Sequence, residues 1–376
     1  MTQEPKIFPY IARLLQGAEV VWKTLGEVAE IKTGQTVSKN IIAENTGNYP
    51  VINSGREPLG FINTWNTDND PIGITSRGAG VGSVTWQEGK YFRGNLNYSV
   101  SIHDSSILDT RFLYYLLLQM QIDIQALCTF QGIPALNAAN LKKLSIPLPS
   151  LSVQQEIVRI LDKFTQLEAE LEAELDCRKR QYEYYRNNLL SYEGNEVEWK
   201  TLDQISENLD SKRQPITSGL RTSGKIPYYG ASGIVDYVED YIFDGDFLLI
   251  SEDGANLLAR NTPIAFSVSG KIWVNNHAHI LKFRTYEERR FIEFYLNKTD
   301  LTPYISGAAQ PKLNKKNLNS IKIPIPPLEE QQRIVTILDK FDTLVNSISE
   351  GLPKEIALRR KQYEYYRERL LSFPKQ

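Results

Sequence analysis

The chain is poor in the features that mark secreted, membrane-spanning or metal-binding proteins. Of its 376 residues only Cys128 and Cys177 are cysteines, and they form no CxxC pair, so neither a disulfide framework nor a zinc site is expected. The longest apolar run, Phe112–Met120, is far shorter than the about 20 residues that cross a bilayer. The first residues lack the basic start and apolar run of a signal peptide. We therefore expect a cytoplasmic protein.

Catalytic signatures are also missing. The glycine-rich segment Gly73–Gly82 lacks the spacing and the Gly-Lys-Ser/Thr ending of a phosphate-binding loop, and it predicts a tight turn between strands. His277 and His279 would share one face of a strand, but no acid or cysteine follows at metal-ligand spacing, so hydrogen-bonding roles are expected. We predict no catalytic residue and no metal site. The scattered acids expected in exposed turns are Asp244, Asp246, Glu252 and Asp253.

The chain also has no basic excess, since its formal net charge is −2. Domains that bind nucleic acid usually carry a clear excess of lysine and arginine. If the chain binds DNA, its basic groups must be concentrated on one face, or a partner must supply part of the positive field.

What the chain does have is a long internal repeat. The sequence LDKF occurs at Leu161–Phe164 and Leu338–Phe341, a spacing of 338 − 161 = 177. The sequence QYEYYR occurs at Gln181–Arg186 and Gln362–Arg367, a spacing of 362 − 181 = 181. Solenoid units repeat every ~20–50 residues, so this spacing predicts a duplicated domain and a molecule with two similar halves.

Each copy combines a globular part with a long helix. Short apolar and aromatic segments separated by Gly, Asn and Pro predict strands and turns, with one helix near each end at Arg111–Gln121 and Glu288–Asn297. Long segments rich in Glu, Leu, Lys and Arg follow. The sequence thus predicts an α+β fold with two β-rich globular domains in pseudo-two-fold arrangement, separated by two long antiparallel coiled-coil helices. The predicted domains are residues 1–150, 151–191, 192–327 and 328–376.

The long helices carry apolar residues at alternating steps of four and three, the pattern of a coiled coil. Ser152 with Gln155 resembles a capping box. The C-terminal helix continues the pattern through Ile348 but adds a step of four near Pro353, a stutter at which the proline should kink or break the helix. The alternative to an antiparallel pair is that each helix packs on its own domain. The residues expected to form the spacer and a partner-docking surface are Ile157, Leu161, Phe164, Leu171, Leu175, Tyr182, Tyr185, Leu338, Phe341, Tyr363 and Tyr366.

Polar, aromatic and charged side chains recur near the predicted loops. Arginine and lysine suit guanine edges or phosphates, asparagine suits adenine, and acids suit cytosine. The candidate DNA contacts of the first copy are Ser76, Arg77, Arg93, Asn95, Asn97 and Tyr98. Those of the second copy are Ser251, Asp253, Lys271, Asn275, Asn276 and His277.

The order of these motifs resembles the specificity subunit of type I restriction–modification systems. The resemblance covers essentially the whole chain and rests on duplicated motifs in a fixed order. They are WKTL at Trp22 and Trp199, the segment Leu136–Gln155 with its counterpart Leu313–Gln332, and ILDKF at Ile160 and Ile337.

The resemblance implies that each globular domain is a target recognition domain that reads one half of an interrupted DNA site. The helices would set the gap and dock two modification (methyltransferase) subunits, which carry the S-adenosylmethionine chemistry, while restriction subunits join further out. This chain would then have no catalysis and no cofactor of its own. Because the two copies diverge inside their globular parts, we expect a non-palindromic site.

Two other classes of function stay open at this point. One is a scaffold whose two β-rich modules bind protein or sugar instead of DNA. The other is an enzyme with a site assembled from both modules, which would require perturbed carboxylates or a bound cofactor.

Overall fold

The computed structural model describes residues 8–55, 57–192, 197–307 and 310–373. The chain divides into two compact units, one of Met1–Leu171 with Ile356–Gln376 and one of Glu172–Glu355. Each unit therefore contains one globular part and pieces of both long helical segments. The long helical segments start at residues 151 and 328, where domain boundaries were predicted. The boundaries between the compact units lie within these segments instead, after Leu171 and after Glu355.

The first unit contains short strands in small sheets. Strands β2, β8, β5 and β6 form an antiparallel sheet in that order, β3 lies between antiparallel β4 and parallel β7, and β1–β11 and β9–β10 are antiparallel pairs. The strands are β1 (Val21–Thr24), β2 (Ala29–Thr33), β3 (Thr46–Ile52), β4 (Phe61–Ile62), β5 (Ile72–Thr75), β6 (Val84–Trp86), β7 (Phe92–Arg93), β8 (Asn97–Ile102), β9 (Cys128–Thr129), β10 (Ala135–Leu136) and β11 (Ser145–Leu148).

Among its described residues, the first unit contains six short helices and the first part of one long helix. The predicted helix Arg111–Gln121 is present as α4, which buries its aromatic and leucine side chains in the main core. The helices are α1 (Pro9–Leu15), α2 (Leu25–Val28), α3 (Lys39–Glu44), α4 (Thr110–Gln119), α5 (Gln121–Ala126), α6 (Ala138–Leu141) and the long α7 (Leu151–Leu189).

The second unit follows the same plan with one sheet of order β13-β18-β16-β17-β14-β15 and a separate β12–β19 pair. Its strands are β12 (Glu198–Thr201), β13 (Glu207–Asn208), β14 (Ser223–Gly230), β15 (Gly233–Val238), β16 (Phe243–Ser251), β17 (Ala265–Val274), β18 (Ala278–Lys282) and β19 (Lys322–Ile325). Its helices are α8 (Leu202–Ile205), α9 (Asn256–Ala259), α10 (Tyr286–Lys298), α11 (Lys315–Asn319), α12 (Leu328–Asn346) and α13 (Gly351–Leu370), with 3₁₀ turns at Asp210–Lys212, Ser218–Leu220 and Thr302–Tyr304.

The two units differ in how one strand is divided. In the second unit β17 is continuous and pairs with both β16 and β14. In the first unit the same two roles fall to separate strands, because β6 pairs with β5 while β7 pairs with β3. The first unit therefore has two sheets where the second has one. Both units keep a parallel strand pair next to the candidate loops, β3 with β7 and β14 with β17.

The duplicated short motifs form the base of each globular part. Trp22 lies opposite Pro147 in the β1–β11 pair, and Trp199 lies opposite Pro324 in the β12–β19 pair. The third residue of each WKTL motif, Thr24 or Thr201, then caps the next helix in a capping box. Each WKTL motif therefore pairs with a second repeated motif, IPLP at Ile146–Pro149 in the first copy and IPIP at Ile323–Pro326 in the second. This pairing joins the first and last strands of each copy.

In the first unit the start of α7 packs against the end of α13. Ile157 and Leu161 are fully buried in a cluster that also contains Leu370. The ring of Phe164 stacks on that of Tyr366, with centroids 5.3 Å apart. One turn further along α7, Glu168 accepts a 2.5 Å hydrogen bond from Arg360. The contacts ascend along α7 and descend along α13, so these segments are antiparallel, as predicted.

In the second unit the end of α7 packs against α12 in the same manner. The rings of Tyr182 and Tyr185 both stack on Phe341, at centroid distances of 6.3 and 5.4 Å. Leu175, earlier in α7, packs against the buried cluster that contains Val345, later in α12.

Each long helix also packs on its own globular part, so the alternative interpretation holds for the helix starts. The aspartate of each LDKF motif anchors this contact. Asp162 accepts hydrogen bonds from Nε of Arg111 at 2.8 Å and from the hydroxyl of Tyr115 at 2.5 Å. Asp339 accepts from Nε of Arg290 at 2.8 Å and from the hydroxyl of Tyr286 at 2.7 Å.

The predicted break of the C-terminal helix near Pro353 is present, whereas Ile348 and Ser152 do not have their predicted roles. The C-terminal helix breaks between α12 and α13, a few residues before Pro353, which lies in the first turn of α13 where a missing N–H is tolerated. Ile348 lies in this break and is 86% exposed, so it does not continue the apolar stripe. Ser152 is no cap, because α7 begins at Leu151 and the amide of Val153 already donates to the carbonyl of Ser150.

Within the described residues, no helix is both long and apolar enough to span a membrane.

Candidate functional site

The candidate residues of the first unit gather where three backbone segments meet. The amide of Ser76, just after β5, donates a 2.9 Å hydrogen bond to the carbonyl of Leu96, in the turn before β8. The carbonyl of Ser76 accepts a 2.8 Å bond from the amide of Leu136 in β10. We call Ser76, Leu96 and Leu136 the first junction. These bonds fix the loop ends independently of side-chain chemistry, so the exposed side chains around them are free to vary.

A cavity of about 230 Å³ opens at the first junction. Four of the six candidates in this copy line it, namely Ser76, Arg77, Asn95 and Tyr98. Arg77 is exposed, whereas Ser76 is buried. The hydroxyl of Tyr98 donates a 3.0 Å hydrogen bond to the carbonyl of Leu136 and so braces the cavity wall.

Arg93 and Asn97 lie beneath the surface instead of on it. Arg93 is only 3% exposed. Its Nη1 donates to the carbonyl of Ile72 at 3.0 Å and to Oδ1 of Asn97 at 2.6 Å, and its Nη2 donates to the carbonyl of Asp70 at 2.6 Å. Burial lowers the pKa of the Arg93 guanidinium, although nearby Tyr91 and Asp70 counteract this. Such internal bonding argues against direct base contacts by Arg93 and Asn97, and it assigns both to support of β5 and β8.

The second unit contains an equivalent junction. The amide of Glu252 donates a 2.9 Å bond to the carbonyl of His277, and the carbonyl of Glu252 accepts a 2.8 Å bond from the amide of Leu313. We call Glu252, His277 and Leu313 the second junction. The next residue, Asp253, accepts on its carboxylate from Nδ1 of His277, at 3.0 and 2.8 Å.

The remaining candidates of the second copy are only partly brought together. Asn276 and His277 are exposed at the second junction. Asn275 is buried, and its Oδ1 accepts a 2.8 Å bond from the amide of His277. Ser251 is fully buried and donates its hydroxyl to the carbonyl of Ala231. Lys271 contacts Tyr241, with its ammonium 4.4 Å above the ring.

The sequence interpretation missed the two charged partners of Glu252 at the second junction, Arg213 and Lys312. Glu252 is buried and accepts from Nη1 of Arg213 at 2.6 Å, with Nζ of Lys312 3.2 Å away. The expectation that Glu252 lies in an exposed turn was therefore wrong. The sequence did contain a signal for the two junctions, namely the repeated Leu-Asn pair that starts at Leu136 and at Leu313. The amide of each of these leucines makes one of the backbone bonds of its junction.

His277 and His279 do not share a face, contrary to expectation, because β18 begins only at Ala278. His279 is fully buried, with Nδ1 2.6 Å from Oδ2 of Asp210 and Nε2 2.7 Å from the carbonyl of Leu313. Burial acts to raise the pKa of Asp210, but the hydrogen bond from His279 and the positive charge nearby hold it below its usual value. His279 thus ties the second junction to the turn at Asp210. Among the described residues, no group of three or more His, Cys, Asp or Glu could hold a metal ion.

The predicted spacer and docking residues mostly face inward. Ile157, Leu161 and Leu338 are fully buried and Tyr182 is nearly so. The half-buried members are Phe164, Leu171, Leu175, Phe341, Tyr363 and Tyr366, and Tyr185 is at the exposed margin. These residues form the helix packing described above.

The surface that the long helices offer to solvent instead includes Tyr184 and Tyr365, which are 65% and 48% exposed. They hold the same position in the two QYEYYR motifs. The repeat itself was the signal for them, since neither tyrosine belongs to the apolar stripe.

Comparison with known proteins gives one consistent result. A family model described as the type I restriction modification DNA specificity domain matches residues 18–176 and again residues 195–358. The chain is 34% identical over 406 residues to the EcoR124I/EcoR124II type I restriction enzyme specificity subunit of Escherichia coli, covering 97% of each. It is 46% identical over 184 residues to a putative type I restriction enzyme specificity subunit of Haemophilus influenzae, covering 48% of this chain and 47% of that one. The solved S subunit of a type I restriction–modification system from M. genitalium has the same fold, with a TM-score of 0.66 at 22% identity over 96% of this chain and 98% of that one.

Proposed function

The chain belongs to the family of type I restriction–modification specificity subunits, and from this we propose that each unit reads one half of an interrupted DNA site. The observation that carries the proposal is the duplicated junction. Both units hold three segments by the same backbone bonds, with exposed side chains beside them. A fixed scaffold with variable side chains is what base readout in a groove requires.

We propose that the two half-sites differ in sequence. Ser76 and Arg77 follow β5 in the first unit, whereas Glu252 and Asp253 follow β16 in the second. Side chains of opposite charge cannot make the same hydrogen bonds to the same base edge. The recognised site should therefore be non-palindromic.

The long helices are proposed to set the gap between half-sites and to dock two methyltransferase subunits. Their inward residues are committed to helix packing. The exposed tyrosine of the QYEYYR motif occurs once in each unit, as Tyr365 in the first and Tyr184 in the second. Two copies of one exposed motif suit two copies of one partner. Catalysis, S-adenosylmethionine and the restriction activity would then reside in the partner subunits, and this chain would supply recognition.

The test is co-expression with the methyltransferase subunit of the same system, followed by mapping of the modified bases. The expected result is one bipartite motif with two different halves and a fixed gap. A palindromic motif would overturn the claim of unlike half-sites. If no DNA shifts in a mobility assay and no methyltransferase co-purifies, a protein- or sugar-binding scaffold becomes the better description.

A further inference from the structure

Arg77 and Asp253 hold the same position in the two units. The residue before each of them makes both backbone bonds of its junction. Arg77 itself forms an antiparallel bridge with Ala135, and Asp253 forms one with Lys312. The glycine that follows each of them donates to a proline carbonyl, at 2.9 Å for Gly78 and 3.1 Å for Gly254.

The neighbouring loop matches as well. The amide of Gly94 donates to the carbonyl of Ile52 at 2.8 Å, and the amide of Asn275 donates to the carbonyl of Tyr229 at 3.0 Å. The next residue is an asparagine in both units, Asn95 and Asn276. The backbone around Arg77 and Asp253 is thus the same, so the difference between the two sites lies in their side chains.

These side chains have opposite hydrogen-bonding capacity. The exposed guanidinium of Arg77 has only donors, five N–H groups in a planar fork. The carboxylate of Asp253 has only acceptors, and it lies within 3.0 Å of Nδ1 of His277. When Nδ1 of a neutral imidazole donates to that carboxylate, Nε2 is an acceptor too. The half-buried carboxylate of Asp253, beside exposed His277, therefore presents acceptors where the first unit presents donors.

Base edges in the major groove show the complementary patterns. Guanine presents two acceptors, O6 and N7, whereas cytosine and adenine each present an exocyclic amino donor. We propose that Arg77 selects guanine in one half-site, and that Asp253 with His277 selects a base with an exocyclic amino group at the equivalent position of the other. This proposal rests on the function proposed above and adds to it the residues that make the half-sites differ.

The experiment is selection of binding sites from a randomised DNA library by the complex of this chain with its methyltransferase subunit. Arg77→Ala should lower the preference for guanine at one position of one half-site by about tenfold or more. It should leave the other half-site unchanged. Asp253→Asn and His277→Ala should relax one position of the other half-site only.

Two variants serve as controls. Lys90 and Lys225 are exposed lysines of the first and second units, and neither is a candidate DNA contact. Lys90→Ala and Lys225→Ala remove one positive charge each without altering a junction. Arg77→Lys keeps the charge but not the fork, so it should weaken the guanine preference less than Arg77→Ala does. Thermal unfolding of every variant tests for loss of fold.

The outcomes separate the inference from the function on which it rests. If Arg77→Ala weakens binding evenly over all sequences, as a lost phosphate contact would, the proposed specificity role is wrong while the bipartite site stands. If the wild-type complex selects no bipartite site, the proposed function fails, and the inference fails with it.

Discussion

The aromatic rings of Phe164 and Tyr366 are stacked with an interplanar angle of 25°. One ring belongs to the LDKF motif of the first copy and the other to the QYEYYR motif of the second. The same two motif types meet in the second unit, where Tyr185 stacks on Phe341 at 27°. Each LDKF motif thus packs against the QYEYYR motif of the opposite copy, and this explains why both motifs are repeated.

Removal of this stack should destabilise the first unit. Tyr366→Ala is expected to lower the free energy of unfolding by about 1–3 kcal/mol, because it removes a half-buried aromatic ring and its stacking contact with Phe164. The control is Tyr365→Ala, which removes an exposed ring next to it and should change stability by at most about 0.5 kcal/mol. Urea unfolding measures both. Equal effects of the two substitutions would contradict the packing described here.

The two LDKF aspartates should differ in importance. Asp162→Ala leaves Arg111 and the Tyr115 hydroxyl without their shared acceptor, at a cost of about 1–2 kcal/mol, kept low because the Asp162 side chain is 45% exposed. Asp339→Ala should cost less, because Arg290 also pairs with Glu293 at 2.5 Å and Asp342 at 2.9 Å. Thermal unfolding of the two variants checks the order. A larger loss for Asp339→Ala would show that the additional carboxylates do not compensate.

The second unit should be sensitive to acid. Burial acts to raise the pKa values of Asp210 and Glu252, but hydrogen bonds from His279 and Arg213 leave both below their usual values. A carboxyl group whose pKa is lower in the folded than in the unfolded chain stabilises the fold at pH values above its unfolded pKa. This contribution is lost as the pH falls through the folded pKa. Stability should therefore decrease below about pH 4.

The measurement for this prediction is the urea midpoint from neutral pH to about pH 3. Asp210→Asn should lower stability at neutral pH and flatten the decline in acid. Asp244→Asn, at an exposed aspartate of β16, is the matched control and should do neither. An unchanged acid profile for Asp210→Asn would remove Asp210 from the explanation.

The gap between half-sites should depend on a four-residue repeat in α7. Glu168–Leu171 and Glu172–Leu175 both read EAEL, and the boundary between the two compact units falls between them. A third copy lengthens the helix by about 6 Å, nearly two base pairs of DNA. Because each unit keeps its own packing, we expect a gap longer by one or two base pairs with both half-sites unchanged.

Mapping of modified bases measures that gap. A control replaces Glu172–Leu175 by another helix-forming tetrapeptide that keeps its leucine, which alters sequence but not length. If the third copy leaves the gap unchanged, the EAEL repeat does not set the distance between the half-sites.

The exposed tyrosines of the repeated motif should matter for partner docking. Tyr184→Ala together with Tyr365→Ala is expected to weaken co-purification of the methyltransferase by tenfold or more while stability changes little, because exposed aromatic residues at the centre of an interface contribute strongly. Leu358→Ala, at an exposed apolar residue of α13 outside the motif, serves as the control. Retention of full methyltransferase binding by the double variant would place the docking surface elsewhere.

Much of the helical part could be predicted because its signals are local. Steps of four and three place Ile157, Leu161 and Phe164 on one stripe whatever surrounds the helix, and the structure buries that stripe. Ile348 fits the same spacing, yet it is exposed because the helix ends before it. Gly351 there has φ +74°, and an added Cβ would lie 2.4 Å from the carbonyl oxygen of Thr343, so the chain turns where periodicity predicted continuity.

The candidate site was harder, because its residues are sorted by tertiary contacts. Arg77 and Arg93 look alike in the sequence, each an arginine followed by a glycine. One is exposed and the other is buried among Asp70, Asn97 and main-chain carbonyls that only the folded sheet assembles. Nor does the sequence reveal that Glu252 is buried, since its partner Arg213 lies 39 positions earlier in the chain.

The C-terminal segment that completes the first unit has a consequence for biosynthesis. Leu370, Leu371 and Phe373 are buried in the same cluster as Ile11 and Leu25. Chains emerge from the ribosome N-terminus first, so the first core lacks part of its apolar lining until residues 370–373 have been synthesised. A chain that stops after the second globular part would therefore have an incomplete first core.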